Sequence, residues 1–396
     1  MANPAWRNQN ATQTAKVVTI TITADSTGNT AVWTATFTLD DNTTTTITYT
    51  EDGSPTPTEI AAGLHAAFNA STHPELRRIT STNPSGGVWV LTGTAGRPFT
   101  VSLNDNDDGT HTQVTTTAGV SNSDYAQGSN FSLQAVPVNS DNVTIGGPGP
   151  AQQAASILYG LYQETVTINA FNVLPEYNGN IGRIEDGVNY YLVVDPDSFD
   201  FRGAGSLNLI DLTDAPIAGY IKSAASPTQG RKAIYLKGSA LTTWEIARGS
   251  VGIAAFPNET ATITTLLVSY DQNQGSDCDV ELGSGLTLTT LTQSGGNVLQ
   301  KCATTTTSVH KGATWRSFGT GAIGTLNVYG TCYPESSGTI TTCNLYGTMD
   351  LSGDRTARTI STLNRYPGSV LILPLSGITL TTITYNGPGE YKTIYV

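Results

Sequence analysis

The 396-residue chain is short of charge, and short of the residue types that do most chemistry. Charged residues make up 13%, about half of the roughly 25% usual in globular domains. There are four histidines, four cysteines and two methionines. Positive charge is scarcer than negative: Lys+Arg 19 against Asp+Glu 31 leaves −12. A surface of that sign repels phosphate backbones and anionic lipids, which argues against nucleic-acid and membrane-surface partners. No apolar run approaches the roughly 20 residues of a membrane span. The opening MANPAWRNQNATQTAK has no apolar signal-peptide core, so a classical export signal is not expected. Disordered chains pair low hydrophobicity with high charge density, and the low charge here argues against wholesale disorder.

What is present is threonine, 64 residues of it, with 41 glycines. Polarity comes from hydroxyls and backbone, which suits strands. At roughly 100–200 residues per domain the length predicts two or three domains. The first reads as an α+β unit over 1–120. Val18, Ile20 and Ile22 alternate with threonines in a period of two, and Val32–Leu39 and Thr44–Thr50 continue as β-branched runs around an Asp40-Asp41-Asn42 turn. The period then changes. Thr56-Pro57-Thr58-Glu59 is a capping box with proline at the first helical position. Ile60, Leu64 and Phe68 follow at helical spacing, predicting one amphipathic helix of about four turns packed on an antiparallel sheet. Strands are expected again over 78–82, 88–92, 99–103 and 113–117. Residues 121–140 are small and polar and read as a linker; 141–396 shows short alternating strands and no amphipathic helix.

The last third carries a repeat. Threonine followed by an apolar residue recurs at Thr265-Leu266, Thr290-Leu291, Thr307-Ser308, Thr325-Leu326, Thr342-Cys343, Thr362-Leu363 and Thr382-Ile383, with Ser308 breaking the rule. The offsets are 25, 17, 18, 17, 20 and 20. Glycine follows five residues after the threonine at Gly295, Gly312, Gly330, Gly347 and Gly387, and six after at Gly368. The period is too short for a strand–helix–strand crossover or a helix-pair repeat. It fits one turn of a parallel β-helix, a solenoid, with Leu291, Leu326, Cys343, Leu363 and Ile383 stacked inside and the threonines in an outward ladder. A β-sandwich also has short strands and turns, but its hairpins would not hold this threonine–glycine phase.

The chain resembles a family of virion structural proteins from tailed phages and prophage-like regions. The resemblance rests on Ala2 and Trp6, then TFTLDDNTTTTITYT, TPTEIAAGLHAAFNAST and GVWVLTGTAGRPFTVS. It continues through the VPV-x-x-D-x-V block at Val136–Val143, LYGL at Leu158–Leu161, YNGNIG, and LGSGLTLTTLT-x-SGG, to about residue 370. The chain departs from the family's strand–glycine pairs at His310-Lys311-Gly312 and Asp271–Ser276. The resemblance implies a particle structural protein made in the host cytoplasm. The expected role is a capsid decoration or cement protein on the head exterior, mechanical and without catalysis. Its partners would be the major capsid protein or other virion proteins and further copies of itself, a homotrimer matching the local threefolds of a shell. The α+β unit, or the tail bearing Trp6 and Arg7, is the expected anchor. The alternative is a tailspike or receptor-binding fibre, with possible host-glycan contact or polysaccharide cleavage, or a tail or baseplate component.

No catalytic, metal or cofactor-binding residue is expected. Cys278, Cys302, Cys332 and Cys343 match no zinc spacing and read as buried core thiols, with a disulfide left open. His65, His73, His111 and His310 form no ligand pair, and His65 reads as a surface residue of the helix. Carboxylates are the only candidate catalysts: Asp195, Asp197 and Asp200, and Asp277, Asp279 and Glu281, since paired acids can cleave glycosides. Both groups sit beside turn residues, where Asp bonds its own backbone. Only Tyr190, Tyr191, Phe199 and Phe201 lie near them as sugar-stacking candidates. Asn104–Gly109 resembles the front of a calcium loop, but Asn104 and Thr115 replace the two key acids, so it reads as a hairpin turn. Gly146-Gly-Pro-Gly-Pro150 reads as a rigid bend, not a nucleotide cradle.

Overall fold

The computed structural model describes residues 2–7, 12–24, 31–39, 43–53, 56–107, 109–213, 218–225, 230–269, 278–353 and 356–396. The expected Asp40-Asp41-Asn42 turn, Asp271–Ser276 and Asp277 lie outside them. The protein is mainly β, and its chain divides into two compact units. No helix of the described residues is long and apolar enough to cross a membrane.

One unit comprises 7–136 and 157–162. Its strands are β1 (Val17–Ala24), β2 (Val32–Thr38), β3 (Thr44–Thr50), β4 (Thr80–Ser85), β5 (Val88–Thr92), β6 (Thr100–Asp105) and β7 (Thr110–Thr117). They form two antiparallel sheets, ordered β4-β5-β1-β7 and β3-β2-β6, where the sequence suggested one. Period-two alternation puts Val18, Ile20 and Ile22 of β1 and Trp33, Ala35 and Phe37 of β2 into one core. The helix α1 (Pro57–Ala70) supplies Ile60, Ala61, Leu64 and Phe68 to that core. Its capping box closes as the sequence requires: the Glu59 amide donates to Thr56 Oγ1 at 3.2 Å, and the Thr56 amide donates to Glu59 Oε2 at 2.8 Å.

The segment 121–140, read from composition as a linker, is divided between the units. Its first part is folded: Tyr125 and Phe131 are buried edge-to-face at 5.1 Å, and Asn130 Nδ2 donates to the Ser121 carbonyl at 2.8 Å. Composition misled because small polar residues also build tight turns whose backbone groups satisfy one another.

The second unit comprises 1–6, 137–156 and 163–396. It holds a 22-stranded sheet system in which most strands pair, in parallel, with the strand two places further along the chain. Two columns result over the last third. One contains Ala261–Val268, Leu286–Gln293, Thr304–Val309, Ile323–Val328, Ile340–Leu345, Arg358–Arg365 and Ile378–Tyr385. The other contains Cys278–Leu282, Asn297–Gln300, Thr314–Ser317, Thr331–Pro334, Thr348–Asp350, Val370–Leu373 and Lys392–Tyr395. A short helix, Pro150–Ala154, is an element the sequence reading missed; Gly149 is its N-cap and Pro150 its first residue.

The register joins like to like. Thr243, Thr265, Thr290, Thr306, Thr325, Thr342, Thr362 and Thr382 are successive partners. Beside them run Val143, Phe171, Phe199, Gly219, Trp244, Leu266, Leu291, Thr307, Leu326, Cys343, Leu363 and Ile383. The third copy is thus one residue off the sequence alignment: Thr306 takes the threonine place and Thr307 the apolar one. Thr307 is fully buried yet bonded, 2.8 Å from Thr304 Oγ1 and donating to Gln300 Oε1 at 3.4 Å, with Trp315 Nε1 donating to the same oxygen at 3.0 Å. A buried hydroxyl without partners would cost stability; this network removes that cost.

The glycines answer to crowding. A Cβ on Gly347 would lie 2.2 Å from the Gly330 carbonyl oxygen, so only glycine lets successive corners approach. Within the stack, Phe171 and Phe199 are parallel at 6.0 Å and Phe199 meets Trp244 at 5.4 Å. The outer edge of one of the first strands, Asn142–Ile145, is covered by residues 2–6, whose backbone pairs with 142–144; Trp6 is fully buried. Trp6 is therefore a core residue and not a free anchoring tail.

Candidate functional site

The parallel system gives most of the sequence's candidate acids partners among the described residues. Asp279 and Glu281 alternate with buried Cys278, Val280 and Leu282, so they share a face as the period of two requires. Lys232 Nζ lies 2.7 Å from Asp279 Oδ2, and Lys301 Nζ lies 2.6 Å from Glu281 Oε1. Each carboxylate is an acceptor engaged by a lysine. In the other group, Asp195 is buried and accepts from Thr167 Oγ1 at 2.7 Å. Asp200 is chelated by Arg202, and Asp197 is exposed. The four aromatics expected beside them do not face solvent: Tyr190, Tyr191, Phe199 and Phe201 are all at least nine-tenths buried. Phe199 and Phe201 alternate with Ser198 and Asp200, so a period of two carries both rings inward together.

Tyr191 is the most perturbed of these. Burial is the main cause that pushes its phenol far up, reinforced by the hydrogen bond it donates to Glu259 Oε1. Lys237 Nζ sits 4.7 Å over its ring and pairs with Asp211 at 2.9 Å. The group is an internally compensated network. No local pattern hinted at it, because residues 191, 211, 237 and 259 converge only through the parallel register.

All four cysteines are buried, and none of them is joined in a disulfide. Burial pushes the Cys302 thiol up to about 12 and raises Cys332 and Cys343 as well, so they behave as small apolar residues. No group of three or more metal-ligating side chains occurs among the described residues. His65 is half-buried, its Nδ1 2.6 Å from Ser81 Oγ, and His111 lies edge-on to Trp33 at 6.2 Å. In the loop that resembles a calcium site, Asp105 Oδ2 accepts from the Gly109 amide, a turn-closing bond. The helix after Gly146–Pro150 is too short to offer a phosphate cradle.

A cavity of about 280 Å³ lies in the α+β unit, between Lys16, Arg97, Phe99, Thr115, Val120 and Asp124. Lys16 Nζ donates to the Phe99 carbonyl at 2.8 Å, and burial lowers the pKa of that ammonium. Arg97 is held from behind by buried Glu75 at 2.9 Å. The volume is just below that of ligand pockets, which run from roughly 300 Å³. Its residues come from positions 16, 97 and 124, and sequence spacing could not have found them.

A third feature is a column of rings at one corner of the parallel system. His310 stacks on Tyr329 at 5.4 Å, Tyr329 on Tyr346 at 4.7 Å and Tyr346 on Tyr366 at 3.9 Å. Beside it runs a ladder of amides: Asn364 donates to Asn344 at 2.9 Å, Asn344 to Asn327 at 2.8 Å, and Asn327 to Ser308 at 3.1 Å. Both ladders join neighbouring strands through side chains as well as backbone. Compared with protein-family profiles, curated proteins and solved structures, the chain matches none.

Proposed function

We propose that this protein is a structural component of a phage particle, a decoration or cement protein on the outside of the capsid, and that residues 141–396 wind as a parallel β-helix. The observation that carries the reading is the unbroken register: eight threonines pair in succession beside twelve residues that are mostly buried and apolar. Each rung is held on both sides, so local opening must break two interfaces, as in other repeat arrays. Parallel pairing also occupies backbone donors and acceptors that would otherwise be open edges. The lysine-engaged acids and buried aromatics support a mechanical role over sugar cleavage. The partners would be the major capsid protein and further copies of the chain, gathered by the symmetry of the shell.

Quantitative gel densitometry of purified particles, with electron cryomicroscopy of the same sample, tests this. A copy number comparable to that of the capsid protein is expected. A handful of copies per particle would reassign the chain to a spike, and release of reducing sugar from host polysaccharide would end the non-catalytic reading.

A further inference from the structure

The two ends of the parallel system differ. At the first, the Asn142 and Thr144 amides donate to Ala2 and Pro4 at 3.0 and 3.1 Å, so residues 2–6 occupy the outer edge of Asn142–Ile145. At the last, among the described residues, Ile378–Tyr385 pairs with Arg358–Arg365 on one side only. Its residues sit over buried partners: Ile378 over Arg358, Leu380 over Ile360, Ile383 over Leu363 and Tyr385 over Arg365. They therefore point inward, yet Ile383 is 41% and Tyr385 57% exposed, where Leu363 beneath is fully buried. No charged residue occurs between 366 and 389. Soluble proteins blunt such edges with lysine, proline or bulges, and this strand has none of these within it.

The strand's sequence says what fits. ITLTTITY is close to a palindrome about the bond between Thr381 and Thr382. Run antiparallel against a second copy of itself, it sets Leu380 opposite Ile383, Thr379 opposite Thr384 and Ile378 opposite Tyr385. Inward residues meet inward residues, and outward threonines meet outward threonines. A two-fold axis through the Thr381–Thr382 corner leaves the inner face inner on both copies. Self-complementarity of this kind is the condition for an isologous contact. Two chains of net charge −12 repel overall, but this strand lets them meet with no like-charge pair at the contact.

We propose that Ile378–Tyr385 is a homodimerisation edge, pairing antiparallel with the same strand of a second copy across a two-fold axis. Because the contact is isologous, each copy uses its single Ile378–Tyr385 strand on the other and offers no second copy of that strand for a further contact. Association closes at two copies and does not run on into fibres. On a shell, the contact would join two copies across a two-fold, in place of the homotrimer expected from local threefolds.

Sedimentation equilibrium of the 396-residue chain tests this over about 1–50 µM. The expected species has twice the 41.5 kDa chain mass. Ile383→Glu and Leu380→Lys should each weaken the dimer at least about tenfold, since every substitution enters the contact twice. The double variant should regain it, because the ammonium introduced at position 380 then faces the carboxylate introduced at position 383 of the other copy. Amide exchange in 378–385 should slow with rising concentration, which reports the edge without any substitution. A monomer throughout, an open-ended polymer, or an oligomer indifferent to Ile383→Glu would overturn the proposal. Loss in both single variants without recovery in the double would overturn the stated register.

Discussion

At Gly219 one added methyl group should destabilise the fold by crowding a buried indole. A Cβ there would lie 2.4 Å from two carbons of the Trp244 indole. Carbon atoms rest at about 3.5–4.0 Å, so the indole must retreat by about 1 Å or more. It has nowhere to go: Trp244 is fully buried and Phe199 lies 5.4 Å from it. Overpacking of this kind costs about 1–3 kcal/mol. The backbone is not at issue, because Gly219 has no positive φ. Elsewhere Gly→Ala stabilises by about 0.4–1 kcal/mol through the unfolded chain, so the sign itself is diagnostic. Urea unfolding followed by circular dichroism should show Gly219→Ala destabilised. Trp244→Leu alone should also destabilise, by opening a cavity. The double variant should cost less than the two together by about 1–2 kcal/mol, since the smaller side chain frees room for the methyl. Strict additivity, or a Gly219→Ala protein within about 0.5 kcal/mol of the parent, would refute the packing argument.

Other consequences follow from the ladders and the core. Asn344→Ala removes both amide bonds at the ladder's centre and should cost about 1–2 kcal/mol in the same unfolding assay, against a negligible change for exposed Thr341→Ala. The hydrogen bond with Tyr366 pushes the Tyr346 phenol up to about 12 from its ordinary 10.0. The neutral form is the one favoured in the fold, so this contribution is complete below pH 10.0 and fades as pH rises through about 12. Tyr366→Phe should bring that titration back down, read by phenolate absorbance. The four buried thiols should be silent to an aromatic disulfide reagent at neutral pH in the folded protein and all react in guanidinium; rapid labelling of the native chain would contradict the burial.

Several features are legible in the sequence alone. The Thr56–Glu59 capping box and the Ile60–Leu64–Phe68 stripe located α1, because caps and helical spacing are local physics. The threonine phase placed six of its seven copies in the register that the parallel pairing shows. It failed at the third, where four consecutive threonines, Thr304–Thr307, offered no apolar marker, and the parallel register with the Gln300–Trp315 network shows that Thr304 and Thr307 turn inward. Phe199 and Phe201, sugar-stacking candidates by their place in the sequence, are buried, because nearness to Asp200 along the chain says nothing about which face a side chain takes.

Alternation, capping and repetition could be read from residues a few positions apart, because each is a local property of the chain. Everything that depends on stacking had to wait for the folded molecule. Residues 2–6 close one edge, Asp279 and Glu281 find Lys232 and Lys301, and Lys16, Arg97 and Asp124 meet around one cavity. Those partners are separated by tens of residues along the chain. The parallel register and the antiparallel core bring them together, and no local pattern encodes such distances.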